Sequence, residues 1–161
     1  MNEIVRESGA PKGSLYHYFP DGKDELAAEA IAHAAGTITA NIEGVLAAHD
    51  DAAAAVATFI RVLAGHVAAS GYRQGGPITA VALESASTNE RLRLACRDAY
   101  RAWRRSFADK LRPAYGDRAD RLAALILSAI EGGIVLARSE QSEQPLLDVA
   151  DEIERLLGIR D

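Results

Sequence analysis

The sequence has few of the residues that mark several common protein classes. Of its 161 residues, one is cysteine, one is methionine and one is tryptophan, and aromatic residues make up 6%. The single cysteine, Cys96, excludes an intrachain disulfide and a metal site built from several thiolates, which fits a reducing compartment. No stretch approaches the ~20 consecutive apolar residues of a membrane span, and no basic segment followed by an apolar one opens the chain. We therefore expect a cytoplasmic protein without a membrane partner.

Composition and charge indicate a globular chain with no general affinity for nucleic acid. Hydrophobic residues make up 48% and charged residues 25%, which is typical of a folded domain and too apolar for disorder. The net charge is −5, so any contact with DNA must be local. The length fits one domain with one sizeable core.

The sequence pattern predicts an all-α protein. Alanine occurs 32 times, apolar residues recur every three or four positions, and no β-branched run alternates with polar residues as in a strand. Most of the predicted helix starts lie at residues that cap a helix N-terminus. These starts are Asp21, the pair Asp50-Asp51, Ile78, Asn89, Asp117 and Gln144.

Residues 1–26 have the pattern of a helix-turn-helix unit. A short helix is followed by a glycine turn at Gly9 and by a second short helix that begins with Pro11. At about 100° per residue, Leu15 and Phe19 fall together on an inner face of the second helix. The opposite face is then free to meet a DNA groove.

That outer face presents residues that suit contact with DNA. Glycine permits close backbone approach, lysine, serine and histidine can bond base edges, and tyrosine hydroxyls and a further lysine can bond phosphate oxygens. The predicted DNA-binding residues are Lys12, Gly13, Ser14, Tyr16, His17, Tyr18 and Lys23. The alternative from the residues alone is a plain helical corner whose tyrosines are half-buried packing residues.

A family resemblance favours the DNA-binding interpretation. Gly9-Ala-Pro-Lys-Gly-Ser-Leu-Tyr-His-Tyr-Phe-Pro20, followed by Lys23-Asp-Glu-Leu26, resembles the recognition helix of TetR-type transcriptional regulators. Further segments resemble the ligand-binding half of the LmrA/YxaF-like subgroup. They are Gly76-Pro-Ile78, Ala82-Leu-Glu84, Trp103, Glu131-Gly-Gly133, Ala137-Arg138 and Pro145-Leu146. The resemblance implies a partial helix-turn-helix head over residues 1–26 and an antiparallel helical ligand-binding and dimerisation domain over residues 27–161.

The sequence departs from the family pattern in two places. The segment Phe19-Pro20-Asp21-Gly22-Lys23 is one residue longer than the commoner Phe-Pro-Ser-Lys form, which changes the expected register of the lysine on DNA. The family also places a first helix and a Gly-Tyr-Thr-Ser-like turn ahead of the segment that resembles the start of this chain. We therefore expect the sequence upstream of Met1 to decide whether the head has its first helix.

The resemblance also implies a ligand pocket and a dimer contact in the larger domain. The predicted pocket residues, which supply aromatic and aliphatic bulk, are Phe59, Leu63, His66, Ile78, Leu83, Trp103 and Phe107. The predicted dimer residues on the last two helices are Leu127, Ile130, Ile134, Ala150, Ile153 and Leu157. The segment from Leu122 to Ala137 is apolar around nearly its whole circumference, and Gly132-Gly133 would admit another helix closely. The alternative to the dimer is a monomer in which this segment is simply the central helix. The alternative to the pocket is that its predicted residues belong to the core. A further alternative from the residues is that Cys96 acts as a redox sensor.

The combined pattern predicts a ligand-responsive DNA-binding regulator, in the form of a repressor. A small apolar or aromatic effector would release a homodimer from a near-palindromic operator. The alternative is a dimeric helical module that binds a small molecule but no DNA. The four histidines are not spaced as metal ligands, and no phosphate loop or nucleophile motif occurs. We therefore predict no catalytic residue, no cofactor and no metal.

Overall fold

The computed structural model describes residues 6, 7, 9, 13, 17–85 and 87–158. All regular secondary structure in these residues is helical, which confirms the all-α prediction. The α-helices are α1 (Lys23–Ala47), α2 (Ala52–Ala69), α3 (Thr79–Ser85), α4 (Glu90–Tyr115), α5 (Ala119–Glu140) and α6 (Gln144–Gly158). A short 3₁₀ turn, Gly116–Arg118, joins α4 to α5.

Two of the predicted helix caps form as expected. The Asp51 carboxylate accepts a hydrogen bond from the Ala54 amide at 2.8 Å and begins α2. The Asn89 side-chain oxygen accepts from the Leu92 amide at 3.1 Å and begins α4. Each bond satisfies an amide that the helix itself leaves without a partner.

Asp21 and Asp117 do not cap a helix. Gly22 precedes α1 with φ of 82°, a region that L-residues rarely adopt, and Asp21 instead forms an ion pair with Arg91 of α4 at 2.6 Å. Asp117 lies within the 3₁₀ turn, and α5 begins two residues later. The predictions at Asp21 and Asp117 are therefore wrong, because turns rather than side chains set these two boundaries.

The helices bury one core between them. Helix α1 packs mainly on α4, α2 packs mainly on α6, and α5 contacts both α4 and α6. The large side chains at its centre are fully buried, namely Ile42, Ile60, Phe107, Leu111, Ile126, Leu146 and Leu157. By length and composition alone, α2 and a window within Glu90–Glu140 could also cross a membrane, but both contribute many of their apolar residues to this core.

The residues predicted for a dimer contact lie instead inside the subunit. The buried members are Ile130, Ile134, Ala150, Ile153 and Leu157, and Leu127 is half-buried against the core. The close helix approach predicted at Gly132-Gly133 occurs between α5 and α6 of the same subunit, since a Cβ added at Gly133 would lie 2.9 Å from Leu146 Cδ2. These side chains take part in packing inside one subunit, which leaves little of their surface for a second copy.

Candidate ligand cavity and DNA-binding head

A cavity of about 680 Å³ lies between α1, α2, α4, α5 and the segment that joins α2 to α3. This volume is within the range that holds a drug-sized molecule. Its apolar lining comprises Ile38, Ile42, Phe59, Leu63, Val67, Pro77, Ala80 of α3, Trp103, Phe107, Leu127, Ile130 and Ile134. Its polar lining comprises His66, Arg73, Gln74, Glu131 and Arg138.

The structure brings five of the seven predicted pocket residues to this cavity. They are Phe59, Leu63, His66, Trp103 and Phe107. The two others lie elsewhere. Ile78 is buried in the core and does not reach the cavity, and Leu83 is 81% exposed on the outside of α3. The short α3 has no buried residue, so the pattern that placed Leu83 inside does not hold there.

Two aromatic pairs position three rings of the cavity lining, Phe59, Phe107 and Trp103. The rings of Phe59 and Phe107 meet edge to face with centroids 5.5 Å apart, and those of Tyr100 and Trp103 do so at 5.3 Å. The indole N–H of Trp103 donates to the Ala35 carbonyl of α1 at 3.3 Å. Edge-to-face pairs contribute about 0.5–1.5 kcal/mol beyond the area they bury, so these contacts help to hold the lining rings in position.

A carboxylate lies among these apolar groups. The Thr79 hydroxyl donates to Glu131 Oε2, and the Tyr100 hydroxyl lies 3.2 Å from Thr79 Oγ1. Burial raises the pKa of Glu131, while the hydrogen bonds from Thr79 and Tyr100 oppose that shift. The three side chains belong to α5, α3 and α4, so this cluster joins three helices at the cavity.

The segment between α2 and α3 closes one side of the cavity with two glycines. Gly75 and Gly76 have φ of 121° and 61°, conformations that favour glycine. A Cβ added at Gly76 would lie 2.8 Å from Thr79 Oγ1. The guanidinium of Arg138 donates to the Gly75 carbonyl at 3.2 Å, which ties this segment to α5.

Sequence reasoning missed Glu131 as a cavity residue and Thr79 as its hydrogen-bond donor. One signal for Glu131 was available, since it is the only charged residue between Arg121 and Arg138 in an otherwise apolar helix. His66, predicted as a pocket residue or a core histidine, is exposed at the cavity rim. Cys96 is buried, and burial raises the pKa of its thiol, which disfavours the reactive thiolate of a redox sensor.

The head is described in part. Gly9 has a φ of 66°, as the predicted turn requires. Gly13, His17 and Tyr18 have helical backbone, and all three residues are exposed. Lys23 is exposed at the first residue of α1. The predicted contacts Lys12, Ser14 and Tyr16 lie outside the described residues. No group of three or more His, Cys, Asp or Glu within the described ranges is placed to hold a metal ion.

Two family patterns match the chain. Residues 1–30 match the bacterial regulatory proteins of the tetR family, and residues 52–152 match the C-terminal domain of transcriptional regulators that are LmrA/YxaF-like. The HTH-type transcriptional regulator LmrA of Bacillus subtilis (strain 168) is 35% identical over 159 residues, covering 98% of this chain and 85% of that protein. The "Uncharacterized HTH-type transcriptional regulator YxaF" of the same strain is 38% identical over 155 residues, covering 95% and 81%.

Solved structures agree with these matches. A TetR transcriptional regulator from Chloroflexus aurantiacus J-10-FL superposes with a TM-score of 0.81 at 27% identity, covering 98% of this chain and 83% of that chain. The regulatory protein TetR from Rhodobacter sphaeroides shares the fold with a TM-score of 0.82 at 23% identity, covering 96% and 85%. The chain therefore belongs to the TetR family of bacterial transcriptional regulators and has an LmrA/YxaF-like C-terminal domain.

Proposed function

We propose that this transcriptional regulator is a repressor that a small, mostly apolar molecule releases from its operator in the cytoplasm. The observation that carries the proposal is the cavity of about 680 Å³, which is bounded by the helix that leads out of the head, α1, and by α4. A molecule in this cavity would contact both helices at once. The family match over residues 1–30 favours this function over a helical module that binds no DNA.

Contacts at the start of α4 connect this helix, which lines the cavity, to the end of the head and the start of α1. The Arg91 guanidinium pairs with Asp21 at 2.6 Å, and the Asn89 amide donates to Asp24 at 2.7 Å. Further along α4, Trp103 lines the cavity and bonds α1 through Ala35. A ligand that shifts α4 would therefore move the residues that hold the beginning of α1 beside the head.

The proposed release is tested by gel shift on the DNA upstream of the protein's own gene. The full-length protein should shift a near-palindromic fragment, and the shift should weaken as salt rises because phosphate contacts release counterions. A compound that quenches Trp103 fluorescence should release the DNA. Coupling is reciprocal, so that compound should bind the DNA complex less tightly, typically by about 1–3 kcal/mol. Cavity ligands that leave the complex intact would contradict the proposal.

For the head, we propose that His17, with Lys12 and Ser14, faces bases and that Tyr18 and Lys23, with Tyr16, face phosphates. Gly13 would let the backbone approach the groove. Among the described residues of this set, Tyr18 is 72% exposed, His17 packs its ring against Tyr18, and Lys23 is exposed beside the amides that begin α1. Such amides and a lysine together suit a phosphate oxygen.

Substitution of Lys23 by alanine is expected to weaken binding to all DNA sequences alike. A lost phosphate contact should lower the slope of log K against log salt by about one without changing sequence preference. Arg104→Ala is the matched control, because Arg104 is an exposed cation on α4 that has no proposed part in the head. Gel shifts over a salt series measure both slopes. A changed sequence preference with an unchanged slope would overturn the assignment of Lys23.

Regulators of this family dimerise, and the exposed apolar residues indicate a surface for a second copy. Leu125, Gly132 and Leu136 lie within about 20° of one line along α5, and all three are exposed. Leu156 adds an exposed apolar side chain on α6. A glycine flanked by two leucines on a helix face without charge allows two copies of α5 to approach closely. We therefore propose a homodimer through this α5 stripe, defined by Leu125, Gly132 and Leu136.

Substitution of Arg91 by alanine is expected to change the response to ligand more than it changes the fold. The Arg91 and Asp21 side chains are 44% and 62% exposed, so their ion pair adds little stability. If it transmits the ligand signal, its loss should change the ratio of ligand affinities for free and DNA-bound protein by roughly two- to thirtyfold. Arg155→Ala breaks a comparable exposed pair with Glu152 on α6 and is the control. Equal effects of both variants on that ratio would contradict the route through α4.

A further inference from the structure

The charge inside the cavity restricts which molecules it can hold. Glu131 is half-buried, and its carboxylate is contacted by the Thr79 hydroxyl and faces that of Tyr100. Among the described residues no lysine, arginine or histidine forms an ion pair with it, in contrast to the many paired acids on the surface. Two hydroxyl groups therefore contact this carboxylate, and no cation of the described part of the chain neutralises it.

A positively charged ligand would supply what this carboxylate lacks. Burial removes water from Glu131 and raises its pKa, because the charged form loses solvation. A cation beside the carboxylate restores that lost stabilisation, and a charge-assisted hydrogen bond is about twice as strong as a neutral one. A neutral apolar ligand would instead bury the carboxylate further without compensation.

The neighbouring aromatic rings favour the same class of ligand. Tyr100 lies beside Glu131 in the hydroxyl cluster, and its ring packs on Trp103, which lines the cavity. The face of an indole ring attracts a cation within about 6 Å of its centroid, and the attraction grows when the cation is desolvated. The remaining lining, which includes Phe59 and Phe107, can bury an apolar ring system.

Resting on the proposed function, we propose that the effectors are lipophilic amines, in which an apolar ring body fills the cavity and a protonated nitrogen donates to Glu131. The arginines of the lining do not favour an anion in the interior. Arg73 and Arg138 are exposed, and their guanidinium groups donate to the carbonyls of Ser70 and Gly75. An anion bound to them would remain at the solvent-facing rim, where water screens the interaction.

Matched ligand pairs test this proposal on the full chain. Biphenylmethylamine and biphenylmethanol share one skeleton and differ in a protonated amine against a hydroxyl group, as do naphthylmethylamine and naphthylmethanol. Calorimetry and Trp103 fluorescence measure binding of each compound. The expected result is that the amine binds at least about tenfold more tightly than its alcohol in both pairs, the difference between a charge-assisted and a neutral hydrogen bond. Equal or weaker binding of the amines overturns the proposal.

Two variants assign the preference to the carboxylate. Glu131→Gln keeps the size and removes the charge, so the amine of each pair should lose its preference over the alcohol. Thr79→Val keeps the charge and removes one hydroxyl, so the amine preference should persist. Thermal unfolding checks that both variants fold. A preference that survives in Glu131→Gln overturns the proposal even if the amines bind well.

Gel shifts with the same compounds distinguish a failure of this proposal from a failure of the proposed function. If alcohols and amines bind equally and both release the operator, the regulator is ligand-responsive and the amine proposal fails. If the amines are preferred but the gel shift is unchanged at saturation, the cavity selects amines and the proposed release fails. A control with free DNA and an unrelated DNA-binding protein checks that no compound removes the regulator by binding the DNA itself.

Discussion

The double variant Leu125→Arg/Leu136→Arg is expected to be a folded monomer that has lost operator binding. Both leucines are about half exposed in the single subunit, at 49% and 53%, so arginine there costs little in the monomer. In a dimer joined through the α5 stripe, each arginine would be buried without a counter-ion, at about 3–5 kcal/mol for each uncompensated charge. A single head holds only one half-site, so operator affinity should fall a hundredfold or more. Sedimentation and gel shift measure the two effects.

Val62→Arg is the matched control for this variant. Val62 is an exposed apolar residue on α2, outside the α5 stripe, and receives the same charge. It should keep both the dimer mass and the operator shift. Circular dichroism of all three proteins separates dissociation from unfolding. If the double variant keeps the mass of the dimer, the copies meet through another surface and the α5 stripe is not the interface.

The helices could be predicted from the sequence because their patterns are local. Apolar spacing predicted α1 to α6, and the carboxylate or amide of Asp51 and Asn89 predicted two helix starts. The starts near Asp21 and Asp117 could not be predicted in the same way. The carboxylate of Asp21 pairs with a distant residue, Arg91. The backbone at Gly22 makes a turn with a φ of 82°, and the sequence alone does not specify that conformation. Long-range contacts leave no signal in a short window of sequence.

The dimer residues show a second limit of sequence patterns. Helix α5 has apolar residues on two faces. Periodicity shows that both faces should be buried, but it does not show whether a helix of the same subunit or a second copy packs on each face. Ile130 and Ile134 face the subunit's own cavity and core, whereas Leu125 and Leu136 face outward. The stripe on α6 is likewise buried against α2 and α5. The pattern thus points to the helices that carry the proposed contact, while the side chains it selected lie inside the subunit.

The large side chains and His66 of the cavity were predicted, whereas its half-buried carboxylate, Glu131, was missed. Aromatic bulk on α2 and α4 is visible in the sequence, and Phe59, Trp103 and Phe107 all line the cavity. The cluster of Thr79 with Glu131 joins positions 52 residues apart, so only the fold brings them together. A single glutamate in an apolar helix was the one local sign that such a cluster exists.

Phe107→Ala and Leu83→Ala are expected to differ sharply, although both residues were predicted to line the same pocket. Phe107 is fully buried and packs edge to face on Phe59, so its removal should lower the free energy of unfolding by about 3–5 kcal/mol. Leu83 is 81% exposed, so its removal should change that free energy by less than about 0.5 kcal/mol. Urea unfolding of the two variants measures the difference. Similar losses would mean that α3 is buried in solution.

Ligand rescue then tests whether the space beside Phe107 is continuous with the ligand cavity. A compound that binds only the folded state stabilises it by about 2.7 kcal/mol at a hundred times its dissociation constant. Phe107→Ala enlarges the cavity lined by Trp103, so an aromatic compound with one additional ring should bind this variant more tightly than the starting protein and recover part of the lost stability. Leu83→Ala should show the same ligand affinity as the starting protein, because its side chain lies outside the cavity. Recovery of Phe107→Ala without any change in Trp103 fluorescence would place the bound compound away from the indole and contradict a single continuous cavity.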